Sequence, residues 1–80
     1  MLYVYTLQSD LEPRQWYTGL ADDLRARLAM HNAGQVKHTS KFMPWTLVQY
    51  SAFHEREKAA AFEQCLKTGS GRAFALRRLR

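Results

Sequence analysis

Residues 2–18 read LYVYTLQSDLEPRQWYT, a segment with two aromatic-rich runs and mostly polar residues between them. Leu2 to Gln8 is rich in Tyr, Val and Leu, and a polar interruption at residues 9–14 separates it from the aromatic run Trp16 to Thr18. Aromatic and β-branched residues favour strands, whereas Asp and Pro favour the connection between them. We therefore predict a β-hairpin with a long loop, whose second strand ends at Gly19.

The residues after the hairpin predict a helix and a loop. Asp22 or Asp23 can cap a helix that runs to about His31, because short acidic side chains accept hydrogen bonds from the first helical amides. Asn32 and Gly34 are typical of a helix stop. The polar and basic stretch from Gln35 to Met43 has no periodicity, which indicates a loop.

The second half of the chain predicts one strand and two helices. Pro44 fits only the start of a strand and opens Trp45 to Phe53 as the third strand. Glu55 to Lys67 carries apolar residues at helical spacing, and a short basic helix, Arg72 to Leu79, follows it. The predicted class is α/β (α+β), a small three-stranded, mostly antiparallel sheet flanked by helices, in one domain over residues 1–80.

Charge favours encounter with polyanions. Twelve Lys and Arg residues against seven Asp and Glu residues give a net charge of +5 and a pI near 9.8. This balance favours contact with nucleic acid or with anionic lipid, and charge alone does not choose between the two.

The cysteine count and the apolar runs bear on the compartment. A single cysteine, Cys65, excludes an intramolecular disulfide and a multi-cysteine zinc site, and it fits a reducing compartment. The chain begins on a strand-like segment with no basic and apolar leader, and no apolar run reaches the length of a membrane span. We expect a cytoplasmic protein with no membrane segment.

Two polar residues border the apolar stripe of the first predicted helix. Leu24 and Leu28 define the stripe, and Arg27 and His31 fall on the same side at helical spacing. Charged groups are seldom buried unless they are paired or bind a ligand. The alternative is that Arg27 extends outward to solvent and that His31 caps the end of the helix.

A carboxylate and two tyrosines complete the set of candidate site residues. Glu63 falls beside Phe62 on the stripe of the second helix, with an i to i+4 ion pair to Lys67 as the alternative role. The hairpin can bring Tyr5 and Tyr17 together, with simple aromatic packing as the alternative. If these side chains converge with Arg27 and His31, the set suits a phosphate and a metal ion.

The motifs in chain order resemble those of the GIY-YIG endonuclease family, in its small single-domain branch. The resemblance rests on Tyr3-Val4-Tyr5, Tyr17-Thr18-Gly19, Asp23-Leu24 with Arg27, Leu28, His31 and Asn32, Pro44-Trp45 with Leu47-Val48, Phe62-Glu63, and Lys67 leading to residues 69–74. It covers nearly the whole chain. The family includes the N-terminal nuclease domain of the excinuclease C subunit and enzymes that cut branched DNA.

The resemblance implies a metal-dependent endonuclease that hydrolyses DNA phosphodiester bonds with Mg²⁺ or Mn²⁺. It implies catalytic roles for Tyr5, Tyr17, Arg27, His31 and Glu63, with Glu63 as the metal ligand. Basic residues are candidates for DNA backbone contacts, with solvated surface charge as the alternative, and they are Lys37, Lys41, Arg72, Arg77 and Arg78. The competing function is a non-catalytic nucleic-acid-binding or partner-recruiting module with the same fold.

Overall fold

The sheet and its helices follow the predicted order. A computed structural model of the chain describes residues 1–67. Three strands, β1 (Leu2–Ser9), β2 (Trp16–Ala21) and β3 (Trp45–Phe53), form one sheet in the order β2-β1-β3, and both strand pairs are antiparallel. The predicted fold class is confirmed, while the predicted helix from Arg72 to Leu79 lies outside the described residues.

Two α-helices pack against the sheet in the described part of the chain. Helix α1 spans Leu24–Asn32 and helix α2 spans Arg56–Lys67, and a short 3-10 turn, Ser40–Phe42, lies in the segment predicted as a loop. Neither helix within residues 1–67 is long and apolar enough to cross a membrane.

Strand β2 is longer than the sequence predicted, and Gly19 does not end it. The pairing with β1 continues to Ala21, which lies opposite Tyr3, and Gly19 lies opposite Tyr5. A Cβ atom on Gly19 would lie only 2.5 Å from Cζ of Tyr5 and 2.9 Å from Cε2 of Tyr17. Gly19 is therefore a point of close approach, where the missing side chain makes room for the Tyr5 ring.

The ends of α1 are set by the signals that the sequence carried. Asp23 is the cap, and its side chain accepts a hydrogen bond of 3.0 Å from the Ala26 amide. Gly34 has a φ of 75°, which glycine adopts without a steric penalty and which stops the helix. Asn32 belongs to the last turn, so the predicted end at His31 is one residue short.

The Asn32 side chain joins the end of α1 to the start of β3. Its amide nitrogen donates to the Trp45 carbonyl at 3.1 Å, and its amide oxygen accepts from the Trp45 amide at 2.6 Å. The Asn32 side chain thereby satisfies both the backbone N–H and the backbone C=O of the buried Trp45. This pair of bonds holds α1 against the sheet.

The core has two halves, one on each face of the sheet. Tyr5, Leu7, Ala21 and Trp45 are buried together on the face that α1 covers. On the opposite face, Val4 packs with two residues of α2, Ala59 and Leu66. Alternation along β1 explains the division, because successive side chains of a strand point to opposite faces.

A β-bulge interrupts the alternation in β3. Thr6 of β1 pairs with Gln49, but the next residue, Leu7, pairs with Leu47, so Val48 has no partner in β1. The extra residue shifts the phase of the strand. As a result Leu47 and Tyr50 both lie on the α1 face, where they line one groove.

Candidate active site

His31 lies at the centre of the polar cluster. Its side chain is 0% exposed, and its Nε2 atom lies 2.9 Å from the hydroxyl of Tyr5, which is 1% exposed. The alternative that His31 caps the end of the helix is therefore wrong, because both ring nitrogens are bonded elsewhere, to Tyr5 and to Thr39. The position of His31 on the Leu24 side of the helix, read from its spacing, is correct.

Thr39 holds the second nitrogen of His31, and the sequence did not single it out. Its hydroxyl lies 2.7 Å from His31 Nδ1 and 3.4 Å from the Val36 carbonyl. We assign the tautomer in which the Thr39 hydroxyl donates to this carbonyl and accepts from Nδ1–H. This network assigns the lone pair to Nε2, which accepts the hydrogen bond of the Tyr5 hydroxyl.

The loop that carries Thr39 is fixed by its own contacts. The Trp45 ring nitrogen donates to the Thr39 carbonyl at 2.9 Å, and Thr39 is 1% exposed. No local pattern marks Thr39, because its role depends on an eight-residue separation from His31 across an irregular loop.

Tyr17 joins the cluster from β2. Its ring centroid lies 4.9 Å from that of His31 and 6.2 Å from that of Tyr5. The tilted arrangement is one that aromatic pairs favour, so packing is part of its role. The structure brings the two motif tyrosines together, as the hairpin predicted.

Arg27 supplies a positive charge beside the two buried rings. The residue is half-buried, and its guanidinium acts electrostatically on both Tyr5 and His31. The ion pairs found within residues 1–67 join Lys58 to Glu55 and Lys67 to Glu63, so neither engages Arg27. Within residues 1–67 the guanidinium thus has no ion-pair partner, and its five N–H donors suit an anionic acceptor such as a phosphate.

Glu63 brings a carboxylate to the cluster from α2. Its side chain is 15% exposed and lies 3.4 Å from the Lys67 ammonium, so the alternative i to i+4 pair is present. Glu63 also lies near enough to Tyr5 for its charge to raise the pKa of that phenol. The ion pair and the proximity to Tyr5 therefore coexist.

Both buried partners are neutral at pH 7. Burial, together with the nearby Tyr17 and Glu63, raises the pKa of Tyr5 above its ordinary value of 10.0, although Arg27 opposes the shift. Burial, and then the Arg27 charge, lowers the pKa of His31 below its ordinary value of 6.5. A neutral phenol hydrogen-bonded to a neutral imidazole can pass on a proton.

The depressed pKa of His31 predicts a loss of stability in mild acid. The unfolded chain protonates His31 near pH 6.5, whereas the folded chain does so only at lower pH. Between these two pKa values the unfolded state binds more protons, so the free energy of unfolding falls as the pH falls. Chemical denaturation from pH 7.5 to pH 4.5 measures this slope.

The control for this experiment is the exposed His38. His38→Gln should keep the acid-dependent slope of the parent, whereas His31→Gln should lose part of it. Equal slopes in the parent and in His31→Gln would contradict the linkage.

The other candidate residues are exposed on the loop that carries Thr39 or lie outside the described part. Lys37 and Lys41 are exposed in and beside the 3-10 segment, while Arg72, Arg77 and Arg78 are beyond residue 67. Within residues 1–67 no group of three or more His, Cys, Asp or Glu side chains could hold a metal ion. A metal at this site would therefore depend on Glu63 and on water.

Comparisons with known proteins agree with the motif order and with the fold. The model of the GIY-YIG catalytic domain matches residues 1–75. UPF0213 protein SpyM50708 of Streptococcus pyogenes serotype M5 (strain Manfredo) is 36% identical over 75 residues, which is 92% of this chain and 79% of that protein. UPF0213 protein MGAS10270_Spy1222 of the serotype M2 strain MGAS10270 is 36% identical over the same length.

A solved structure gives the same result. The solution NMR structure of UPF0213 protein BH0048 from Bacillus halodurans is 30% identical and superimposes with a TM-score of 0.57, covering 96% of this chain and 84% of the other. Sequence, fold and motif order coincide over nearly the whole chain, and the chain therefore belongs to the GIY-YIG nuclease family, with the small UPF0213 proteins among its relatives.

Proposed function

We propose that this protein is a Mg²⁺-dependent endonuclease that hydrolyses phosphodiester bonds in DNA. The observation that carries the proposal is the buried cluster in which the Tyr5 hydroxyl lies 2.9 Å from His31 Nε2 and the Tyr17 ring packs 4.9 Å from that of His31. Arg27 and Glu63 lie close enough for their opposite charges to act on Tyr5. A binding module with the same fold has no need for a cation, a carboxylate and a hydrogen-bonded Tyr–His pair at one point.

The Tyr5–His31 pair supports a route for the proton of the attacking water. In the assigned tautomer the Tyr5 hydroxyl donates to Nε2 of His31 at 2.9 Å, and the lone pairs of its oxygen remain available to accept a proton. As water attacks phosphorus, its proton passes to the Tyr5 oxygen while the phenol proton passes to Nε2. Neither residue needs to be ionised beforehand, which suits the direction of both pKa shifts.

Thr39 and Arg27 support this reaction in two ways. The Thr39 hydroxyl accepts from Nδ1–H and keeps the Nε2 lone pair facing Tyr5. The Arg27 guanidinium is planar and can donate two parallel hydrogen bonds to non-bridging phosphate oxygens. It would stabilise the negative charge that develops there as the bond to the leaving oxygen breaks.

The fit of Glu63 to a magnesium ion rests on its donor set. Magnesium is commonly held by one or two carboxylates and keeps several waters, so a single half-buried carboxylate is sufficient. When bound, the ion would polarise the phosphate and lower the pKa of a bound water. Lys67 already neutralises Glu63 at 3.4 Å, and a cation of higher charge would compete with that ammonium.

The kind of DNA substrate is inferred from the family, and the compartment is inferred from the single cysteine. We propose damaged or branched DNA as the substrate, in DNA repair or related processing, because relatives in the family act on such DNA. Action in the cytoplasm is consistent with the lone, exposed Cys65.

The test is incubation with a panel of labelled DNA structures that includes single strands, duplexes, flaps and branched junctions. Cleavage should appear with Mg²⁺ or Mn²⁺ and should stop when EDTA is added. DNA binding without cleavage under any metal would overturn the nuclease proposal and favour the non-catalytic binding module.

A further inference from the structure

A cavity lies at the C-terminal end of β2, beside the start of α2. It has a volume of about 240 Å³, and two arginines from different helices line it, Arg27 of α1 and Arg56 of α2. The wall is otherwise made of Leu2, Leu20, Ala21 and Asp22. Arg27 thus faces both this cavity and the Tyr5 site, whereas Arg56 has no part in the mechanism described above.

The charges around the cavity favour an anion. The cavity is lined by two arginines and by one carboxylate residue, Asp22. Neither arginine takes part in the ion pairs found within residues 1–67. Two like charges at one cavity repel each other unless an anion lies between them. The groove between α1 and β3 has the opposite balance, since Asp22 and Asp23 line it with only Arg25.

The position along β2 relates this cavity to the reacting group. Tyr5 lies opposite Gly19, and Ala21, which lines the cavity, is two residues further along the strand. Two strand residues span about 7 Å. A nucleic-acid backbone that follows the edge of β2 would therefore place a neighbouring phosphate at this cavity.

We propose that Arg56 binds a second phosphate of the cleaved DNA strand, next to the phosphate that Arg27 contacts at Tyr5. This inference rests on the proposed function, and it names the path of the substrate as the edge of β2. Arginine suits the contact because its planar fork matches two phosphate oxygens, and the charge of Asp22 limits the net attraction. Arg56 is a binding residue in this scheme and has no part in the proton transfer.

The first measurement is DNA binding without metal, by fluorescence anisotropy, in a Glu63→Ala background that cannot cleave. Arg56→Ala should weaken binding about tenfold and lower the slope of log K against log salt by about 0.9, as expected for one lost phosphate contact. Arg25→Ala is the matched control, since it removes the same charge from the groove on the other side of α1. Asp22→Asn should strengthen binding.

A modified substrate locates the contact. An oligonucleotide with one neutral methylphosphonate beside the cut site should bind the parent and Arg56→Ala equally, because the charge that Arg56 would contact is gone. In cleavage assays with the parent Glu63, Arg56→Ala should raise KM about tenfold and leave kcat unchanged.

The outcomes separate the two proposals. If Arg56→Ala lowers affinity and slope no more than Arg25→Ala, or if the methylphosphonate leaves the Arg56 effect intact, the second phosphate site is wrong even where cleavage is observed. If the Arg56 effect on binding is found and no metal supports cleavage by the parent, the nuclease proposal fails and the phosphate site stands.

Discussion

Replacing Glu63 by Ala should lower the rate of DNA cleavage about 10²- to 10³-fold and leave the protein folded. The rate falls because the change removes the carboxylate that would hold the ion, and the loss of one electrostatic stabiliser typically has this size. The fold persists because the ion pair that Glu63 makes in the described part of the chain is a partly exposed i to i+4 pair with Lys67, worth under about 1 kcal/mol. Single-turnover cleavage and thermal unfolding measure the two effects separately.

Lys67→Ala is the matched control for this experiment. It breaks the same 3.4 Å ion pair but leaves the carboxylate in place, so the stability should change as little as in Glu63→Ala while cleavage is retained. Equal cleavage by the parent and by Glu63→Ala would show that the carboxylate has no catalytic role. A loss of the same size in Arg27→Ala would extend the result to the guanidinium beside Tyr5.

Replacing Gly19 by Ala should both destabilise the protein and abolish cleavage. The new Cβ would lie 2.5 Å from Cζ of Tyr5 and 2.9 Å from Cε2 of Tyr17, so the buried Tyr5 ring must shift. Overpacking of this kind typically costs about 1–3 kcal/mol of unfolding free energy. The shift would also lengthen the 2.9 Å hydrogen bond between Tyr5 and His31 on which the proton transfer depends.

Gly34→Ala separates the two effects of that substitution. Gly34 has a φ of 75°, where alanine is strained by about 1–2 kcal/mol, but the nearest atoms to the new Cβ belong to Met43 at 3.5 Å. The unfolding free energy of Gly34→Ala should therefore fall by an amount similar to that of Gly19→Ala. Its cleavage should be retained at temperatures where the protein is folded. Normal cleavage by Gly19→Ala under those conditions would contradict the role given to the Tyr5 position.

The elements that were predicted well are those determined by residues close together in the sequence. Trp45–Phe53 was predicted residue for residue from its composition and from Pro44. The cap was predicted at Asp22 or Asp23 and lies at Asp23, while of the two predicted stop residues Gly34 follows the helix and Asn32 lies in its last turn. The side of α1 that carries His31 followed from helical spacing. Each of these predictions depends on residues within a few positions of one another along the chain.

The features that the sequence did not predict depend on distant residues. Gly19 resembles a strand end, and only the Tyr5 ring from the neighbouring strand shows why glycine is needed in mid-strand. Thr39 and the Asn32–Trp45 bonds likewise join segments separated by a loop. The catalytic roles of the clustered residues stay predictions, since geometry brings the groups together and turnover must be measured.

The bulge at Val48 has a consequence for how β3 is aligned with related sequences. Because Val48 has no partner in β1, Leu47 and Tyr50 face the same side although they are three positions apart, a spacing that puts side chains on opposite faces of a regular strand. An alignment that assumes strict alternation would exchange inward and outward positions for half of the strand. Deleting Val48 would make the pairs Leu7–Leu47 and Thr6–Gln49 consecutive and would leave Tyr50 opposite Tyr5 on the same face. A deletion elsewhere in the strand would move the residues on one side of it to the other face, so a gap is structurally neutral only at the bulge itself.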